Sequence, residues 1–233
     1  MAPFDAEAAA RWFAEAMETG NPLAPLPLGL APRDADEAAA IAAATLDSLG
    51  IVPCGLRLLR RPGAAALAGP MIEGRLLASG APVALGALRH PLVTAAVVGV
   101  LAEALDPDAQ APPVLARLHP ALDIAATRFT TPPEEDAVLA ADLARLGLVV
   151  AGKGMAVAPG EVKVSLGAKG SRPRGMATDL AAAFAEAAAA ARAWGGLPAG
   201  ALLVVAGLTP PVAAEGTLRA TLGPLGGVEA VFG

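Results

Sequence analysis

The stretch that most constrains the fold is residues 89–101, RHPLVTAAVVGVL, which is almost wholly apolar. Only Arg89 and His90 bring marked polarity to it, and Thr94 is its sole hydroxyl. A short apolar run of this kind, set among segments punctuated by Gly and Pro, is typical of a buried strand. We therefore predict that residues 89–101 form a strand inside the fold.

Two helices are predicted upstream of this strand. Residues 5–18 have the apolar spacing of a helix, and Asp5 is a suitable N-terminal cap. Gly and repeated Pro then interrupt the pattern. A second helix is predicted over residues 34–49, with Gly50 placed just past its end.

The remainder of the chain is predicted to be rich in strands. Short apolar or alternating runs separated by Gly and Pro follow residue 50. A short helix over residues 134–146 and a long helix over residues 175–194 interrupt them. Two helices followed by such a body indicate an α+β fold. We expect a helical segment over residues 1–50 and one β-rich unit over residues 51–233.

Composition excludes several classes of function. The net charge of −5 argues against a nucleic-acid partner, because such binding needs a basic surface. No apolar run reaches the roughly 20 residues that cross a bilayer, so we expect no membrane association. A single cysteine, Cys54, excludes an internal disulfide and fits a reducing compartment. With an N-terminus that lacks a secretion pattern, this predicts a cytoplasmic protein.

Several segments together resemble a known family. They are PCGLRLL at 53–59, MIEGRLLASGAPVALG at 71–86, HPALDIAATRF at 119–129 and the C-terminal GGLPAGALLVVAGLTPPVAAEGTLRATLGPLGGVEAVF. Their order and spacing along nearly the whole chain resemble the fumarylacetoacetate-hydrolase superfamily, in particular its 2-oxopent-4-enoate hydratase and 4-oxalocrotonate decarboxylase group. The resemblance implies N-terminal helices packed on a mixed β-roll or sandwich, with one long helix in the C-terminal half.

The resemblance also implies a metal centre whose ligands have changed in this chain. The family holds magnesium or manganese with two glutamates of an E-x-E strand and one of an A-L-E-I strand. Residues two apart on a strand share a face, so both can reach one ion. The corresponding positions here are Thr94, Ala96 and Asp123. Because a hard cation needs several oxygen ligands, we predict no metal at this site and no cofactor.

The remaining polar residues of the pattern are candidates for catalysis. Arg57, in the place of a family lysine, is suited to bind a substrate carboxylate with its planar guanidinium. Asp123 and Glu73 are candidates to move protons. The alternatives are that Asp123 pairs with Arg57 or Arg128, and that Glu73 is a solvated loop charge.

A second basic group precedes the predicted long helix. Residues 167–175, GAKGSRPRG, contain Lys169, Arg172 and Arg174. Backbone N–H groups at a helix N-terminus attract anions, so these residues are candidates to bind substrate. A solvated basic turn is the alternative. Thr209, which follows the counterpart of the family's G-S-L-T turn, is a further candidate for substrate binding.

Three more residues have side chains that could take part in chemistry. Cys54 is predicted to be a small buried hydrophobe rather than a nucleophile. His90 and His119 each precede Pro, and a structural role is favoured over that of a general base.

Three functions remain open on the sequence. The first is a metal-independent lyase, hydratase-like or decarboxylase-like, that acts on a small anionic 2-oxo or enol acid. The second is a noncatalytic relative that binds a ligand or stabilises a pathway enzyme. The third is a metal-dependent hydratase with ligands displaced to Asp123, Glu73, Glu103 and Asp106. The resemblance favours a homo-oligomer in each case.

Overall fold

Two β-sheets and four α-helices make up the computed structural model, which describes residues 4–233. The helices are α1 (Ala6–Thr19), α2 (Ala35–Ser48), α3 (Asp136–Ala141) and α4 (Leu180–Ala193). The first six strands are β1 (Gly55–Arg61), β2 (Ala64–Met71), β3 (Leu76–Ala78), β4 (Pro82–Val83), β5 (Arg89–Leu101) and β6 (Leu115–Thr127). The remaining strands are β7 (Leu146–Ala151), β8 (Glu161–Ala168), β9 (Met176–Asp179), β10 (Leu202–Ala206), β11 (Val212–Ala213), β12 (Thr217–Leu222) and β13 (Gly227–Phe232).

The predicted buried strand lies in the middle of the larger sheet. That sheet has the order β2-β1-β10-β5-β6-β7-β3, and β11 also pairs with β5. The smaller sheet has the order β4-β13-β12-β8-β9. The prediction for residues 89–101 is confirmed, since β5 spans these residues and pairs with β10, β6 and β11.

Alternation along β5 divides its side chains between two cores. Val93, Ala95 and Val97 pack in the core that the larger sheet shares with the smaller sheet and with α4. Ala96 and Val98 belong to a second core, on the face covered by α2 and α3. The helix-covered face of the larger sheet is therefore the one that also carries Thr94.

The two N-terminal helices form as predicted. Asp5 and Asp34 cap α1 and α2 by accepting hydrogen bonds at 2.9 Å from backbone N–H groups of the first turns. Phe13 of α1 packs edge-to-face on Phe129, with ring centroids 5.8 Å apart. No helix among the described residues is long and apolar enough to cross a bilayer. The division at residue 50 stays a prediction, although this ring contact shows α1 packing directly on the β-rich body.

The long helix begins later than predicted. Residues 176–179 pair with β8 as strand β9, and Asp179 then caps α4 by accepting from the Ala182 N–H at 3.1 Å. The basic loop at 167–175 consequently leads into a strand. Its placement at a helix N-terminus was wrong, because strand pairing prevails over helical propensity in residues 176–179.

The predicted helix over residues 134–146 is also shorter than expected. It consists of α3, a 3₁₀ turn at Leu143–Arg145 and the start of β7. Residues 143, 144 and 145 have φ of 50°, 51° and 62°, a left-handed conformation that ends the helix.

We predict that Asp179→Ala destabilises the protein by about 1 kcal/mol, because α4 loses its N-terminal cap. Urea denaturation measures the change, with Thr178→Ala on β9 as the neighbouring control. If the helix began at residue 175, position 179 would be interior and alanine would be neutral or stabilising there. An unchanged or increased free energy of unfolding for Asp179→Ala would therefore contradict the observed helix start.

Candidate functional site

A buried ion pair between Arg57 and Asp123 occupies the helix-covered face of the larger sheet. The Arg57 Nε and Nη2 atoms donate to Asp123 Oδ1 and Oδ2, each at 2.6 Å. The third nitrogen, Nη1, donates to the carbonyl oxygen of Ala144 at 2.7 Å. Both side chains have 0% exposure. Every guanidinium nitrogen thus has a protein partner, and so does each carboxylate oxygen.

The pair joins strands that are not neighbours. Arg57 lies on β1 and Asp123 on β6, with β10 and β5 between them. Three strand spacings amount to about 14 Å in a flat sheet, so the pairing requires both a long side chain and a curved sheet. Ala96 on the intervening strand is fully buried and small, which leaves room for the arginine to cross.

The remaining partner of the pair comes from a conformationally unusual turn. Ala144 and both its neighbours have positive φ, which is uncommon for residues other than glycine. The Ala144 carbonyl accepts from Arg57, and that contact helps to hold the turn against the sheet.

The residues at the three predicted ligand positions do not fit a magnesium or manganese site. Thr94 pairs with Asp123 across the β5–β6 ladder, and its Oγ1 accepts from the Gly207 N–H at 3.0 Å. Ala96 has no donor atom, and both Asp123 oxygens bind the Arg57 cation. Hard cations require several free oxygen ligands. That these positions correspond to the family's glutamates stays a prediction.

The displaced metal site is not formed. Glu73 is exposed in a 3₁₀ turn, and Glu103 and Asp106 are exposed in the segment after β5, whereas Asp123 is buried on β6. Among residues 4–233, no group of three or more His, Cys, Asp or Glu side chains is placed to hold a metal ion. The site predicted from these four acids was therefore wrong.

The geometry limits what Arg57 and Asp123 can contact. Arg57 was expected to bind a substrate carboxylate, but its guanidinium already binds the carboxylate of Asp123. The salt bridge that the sequence left as an alternative is the arrangement present in the structure. A substrate reaches either group only if the pair opens. Catalytic roles for Asp123, Arg57 and Glu73 stay predictions.

Thr94 and Thr209 fasten the turn after β10 to strand β5. The Thr209 Oγ1 accepts from the Ala95 N–H at 3.1 Å, and the Leu208 N–H donates to the Ala95 carbonyl at 3.0 Å. Gly207, with φ of 75°, completes this turn, since a Cβ there would lie 2.0 Å from the Arg60 carbonyl oxygen. The Thr209 hydroxyl is thus committed to the backbone, and its substrate-binding role stays a prediction.

The basic loop lies apart from the ion pair. It connects β8 and β9 in the smaller sheet, whereas Arg57 belongs to the larger sheet. Lys169 pairs with Glu229, with 3.0 Å between Nζ and Oε2, while Arg172 and Arg174 are exposed. No ion pair or hydrogen bond within the described chain joins the loop to Arg57, so the structure does not bring these candidates together.

Asp142 is a second buried carboxylate. Asp142 accepts from the Thr127 hydroxyl at 2.7 Å, and its Oδ1 lies 3.2 Å from Arg128 Nη1. Burial raises the pKa of Asp142, although Arg128 and the hydrogen bond from Thr127 act to lower it. Arg128 lies in the segment 119–129 that resembles a family motif, but nothing in the sequence paired it with Asp142.

The weaker candidates make structural contacts. Ring nitrogens of His90 and His119 lie 2.8 and 3.0 Å from the carbonyl oxygens of Thr130 and Gly152. The Cys54 thiol donates to the Met71 carbonyl, and burial is the main cause that raises its pKa. A raised pKa leaves less thiolate, which is the nucleophilic form.

Comparison with known proteins gives matches among solved structures only. No family model matches the chain, and no curated protein matches it. A 4-oxalocrotonate decarboxylase from Pseudomonas putida G7, complexed with magnesium and adipate, is 16% identical with a TM-score of 0.80 and 97% coverage of each chain. A 2-hydroxyhepta-2,4-diene-1,7-dioate isomerase from Mycobacterium marinum gives 11% identity, a TM-score of 0.57 and coverage of 78% of this chain and 76% of that chain.

A fumarylpyruvate hydrolase from Pseudomonas aeruginosa, in complex with Mn²⁺ and pyruvate, is also similar. It is 13% identical, with a TM-score of 0.52, and the match covers 76% of this chain and 88% of that chain. The α+β fold implied by the fumarylacetoacetate-hydrolase resemblance is thereby confirmed. Since one fold supports a decarboxylase, an isomerase and a hydrolase, the fold alone does not specify a reaction for this chain.

We predict that Arg57→Met and Asp123→Leu each destabilise the protein by about 3–5 kcal/mol, because either change leaves an uncompensated charge buried. The double variant Arg57→Met/Asp123→Leu should recover much of that loss, since apolar groups then replace both partners. Urea denaturation of the four proteins gives the coupling energy. Arg60→Met, which breaks the exposed pair with Glu186, serves as the control and should cost less than about 1 kcal/mol. Strictly additive losses would show that the two residues are not coupled.

Proposed function

We propose that this chain is a noncatalytic relative of small-acid decarboxylases and hydratases that binds a small carboxylic acid without a metal. The observation that carries the proposal is the buried Arg57–Asp123 pair. It places a protein-bound cation on the only acid among the three predicted ligand positions. The carboxylate of Asp123 is neutralised by that cation and has no accessible surface, so the pair acts as a structural element.

Two observations support a small carboxylic acid as the ligand. The similar structures contain adipate, acetate or pyruvate, and they share the whole or most of the fold with this chain. In addition, three arginines and one glutamate line a cavity in this protein, which gives that cavity a positive charge. A guanidinium binds a carboxylate through two parallel hydrogen bonds, so such a cavity is chemically matched to organic acids.

A metal-independent lyase acting on a 2-oxo or enol acid is the second candidate. The left-handed turn at residues 143–145, which contributes to the ion pair, favours it. Strained backbone of this kind clusters at functional sites and switch regions. If the turn moved and the pair opened, Arg57 would be free to stabilise an oxyanion and Asp123 would be free to move a proton.

Turnover assays separate the two candidates. We predict that the purified protein does not hydrate or decarboxylate a panel of 2-oxo and enol acids above the uncatalysed rate, with Mg²⁺, with Mn²⁺ or with chelator. We also predict that isothermal titration calorimetry detects binding of a small dicarboxylate. Turnover in the presence of chelator that is lost in folded Asp123→Asn protein would overturn the noncatalytic proposal in favour of the lyase.

The proposal includes a homo-oligomeric state for this protein, because the same family resemblance implies one. Association with a pathway enzyme is compatible with a noncatalytic role.

A further inference from the structure

An arginine-lined cavity lies beside the larger sheet, apart from the Arg57–Asp123 pair. It measures about 380 Å³, within the usual range for small-molecule sites. Its wall includes the C-terminal end of α1, the 3₁₀ turn that follows β2 and the ends of β5 and β6. Its charged side chains are Arg75, Arg89, Arg128 and Glu18.

Arg75 is a cation of this cavity that has no carboxylate partner among the described residues. Its side chain is half-buried, and within residues 4–233 its guanidinium forms no ion pair or hydrogen bond. Burial lowers the pKa of Arg75, and repulsion from Arg128 lowers it further. Both effects oppose the charged form, whereas an anion placed beside Arg75 would favour it. A half-buried guanidinium in this setting can bind a carboxylate by donating its N–H groups to the carboxylate oxygens.

The other charges in the wall leave the cavity positive. Arg128 is neutralised by buried Asp142, which also takes the hydroxyl hydrogen of Thr127. Arg89 donates at 3.0 Å to the carbonyl oxygen of Gly20, an uncharged partner that does not offset the charge of the guanidinium. Glu18 is exposed near the end of α1 and offsets one of the two remaining cations. A ligand with at least one negative charge therefore complements the site.

Apolar side chains complete the lining. Ala16, Met17, Leu88, Ala126 and Leu146 contribute to the same wall. Such a lining accommodates a short hydrocarbon segment, which inorganic phosphate lacks.

We infer that this cavity binds a small carboxylate with a short aliphatic chain, and that Arg75 is the side chain that binds its carboxylate. The inference rests on the proposed function, because it assigns a place to the ligand which that function requires. It separates the ligand from the buried ion pair, which then has no contact with the bound acid.

Calorimetric titration of the full chain with adipate tests the inference. We expect saturable binding that weakens as NaCl is added, because salt screens the charge interaction. The uncharged chain 1,6-hexanediol should not bind detectably, and inorganic phosphate should bind more weakly than adipate. Arg75→Gln should weaken adipate binding at least about tenfold, the effect of losing roughly 1.4 kcal/mol of a charge-assisted contact. Arg75→Lys should give an intermediate loss, since it keeps the charge but not the two parallel donors.

Arg117→Gln is the matched control, because Arg117 is an exposed arginine on β6 that does not line the cavity. Circular dichroism verifies that each variant is folded, and Arg89→Gln supplies a second cavity variant with an expected smaller loss.

Adipate binding that is equally strong in wild type and folded Arg75→Gln would overturn the cavity assignment while leaving the proposed function intact. Absence of adipate binding to wild type would overturn the proposed function itself. Phosphate binding as tight as adipate would overturn the assignment to a carboxylate with an aliphatic chain.

Discussion

The arrangement of this protein depends on the charge of Arg57 being neutralised away from water. Burying an arginine and an aspartate is costly, and their attraction repays that cost only when the geometry is close to ideal. Here two 2.6 Å hydrogen bonds and a third contact at 2.7 Å to a backbone carbonyl meet that condition. The pair in turn requires the curvature that brings β1 and β6 together, a small residue at position 96 and the left-handed turn at Ala144. These features therefore form one connected unit.

That unit occupies the helix-covered face of a fold that this chain shares with enzymes complexed with metals. The fold aligns over nearly its entire length with a decarboxylase complexed with magnesium. Nevertheless the helix-covered face carries Thr94, Ala96 and a neutralised Asp123, and Thr94 uses its hydroxyl oxygen to hold the turn after β10. An apolar core that includes Leu143, Leu146 and Val149 surrounds the pair. In such apolar surroundings the carboxylate of Asp123 would be unstable if no cation were bound to it.

The sequence predicted the elements well wherever one pattern dominated. The caps of α1 and α2 and the apolar run of β5 have strong local signals, and all three elements lie close to their predicted limits. Strand β2 has no strong local strand pattern, since its Ala, Gly and Pro residues have low strand propensity. Pairing with β1 and burial of Leu67 and Met71 stabilise it. The error at the start of α4 has the same origin. In both cases long-range strand pairing, which leaves no local pattern, decides the structure.

The candidate site shows the same limit more clearly. The sequence identified Arg57 and Asp123 as the important polar residues and left their pairing open, because they lie 66 residues apart. Arg75 was not among the residues that the sequence indicated, because its importance depends on the other residues that line the cavity in the folded protein. Chemically Arg57 and Arg75 are the same residue, but one has a buried carboxylate and a carbonyl as partners, whereas the other shares a cavity with two further arginines. A ligand anion gains more from an uncompensated cation than from one already paired, since opening a pair first costs the free energy of the contacts that are broken. Electrostatics therefore favours Arg75 over the ion pair as the binding site that we infer for an anionic ligand.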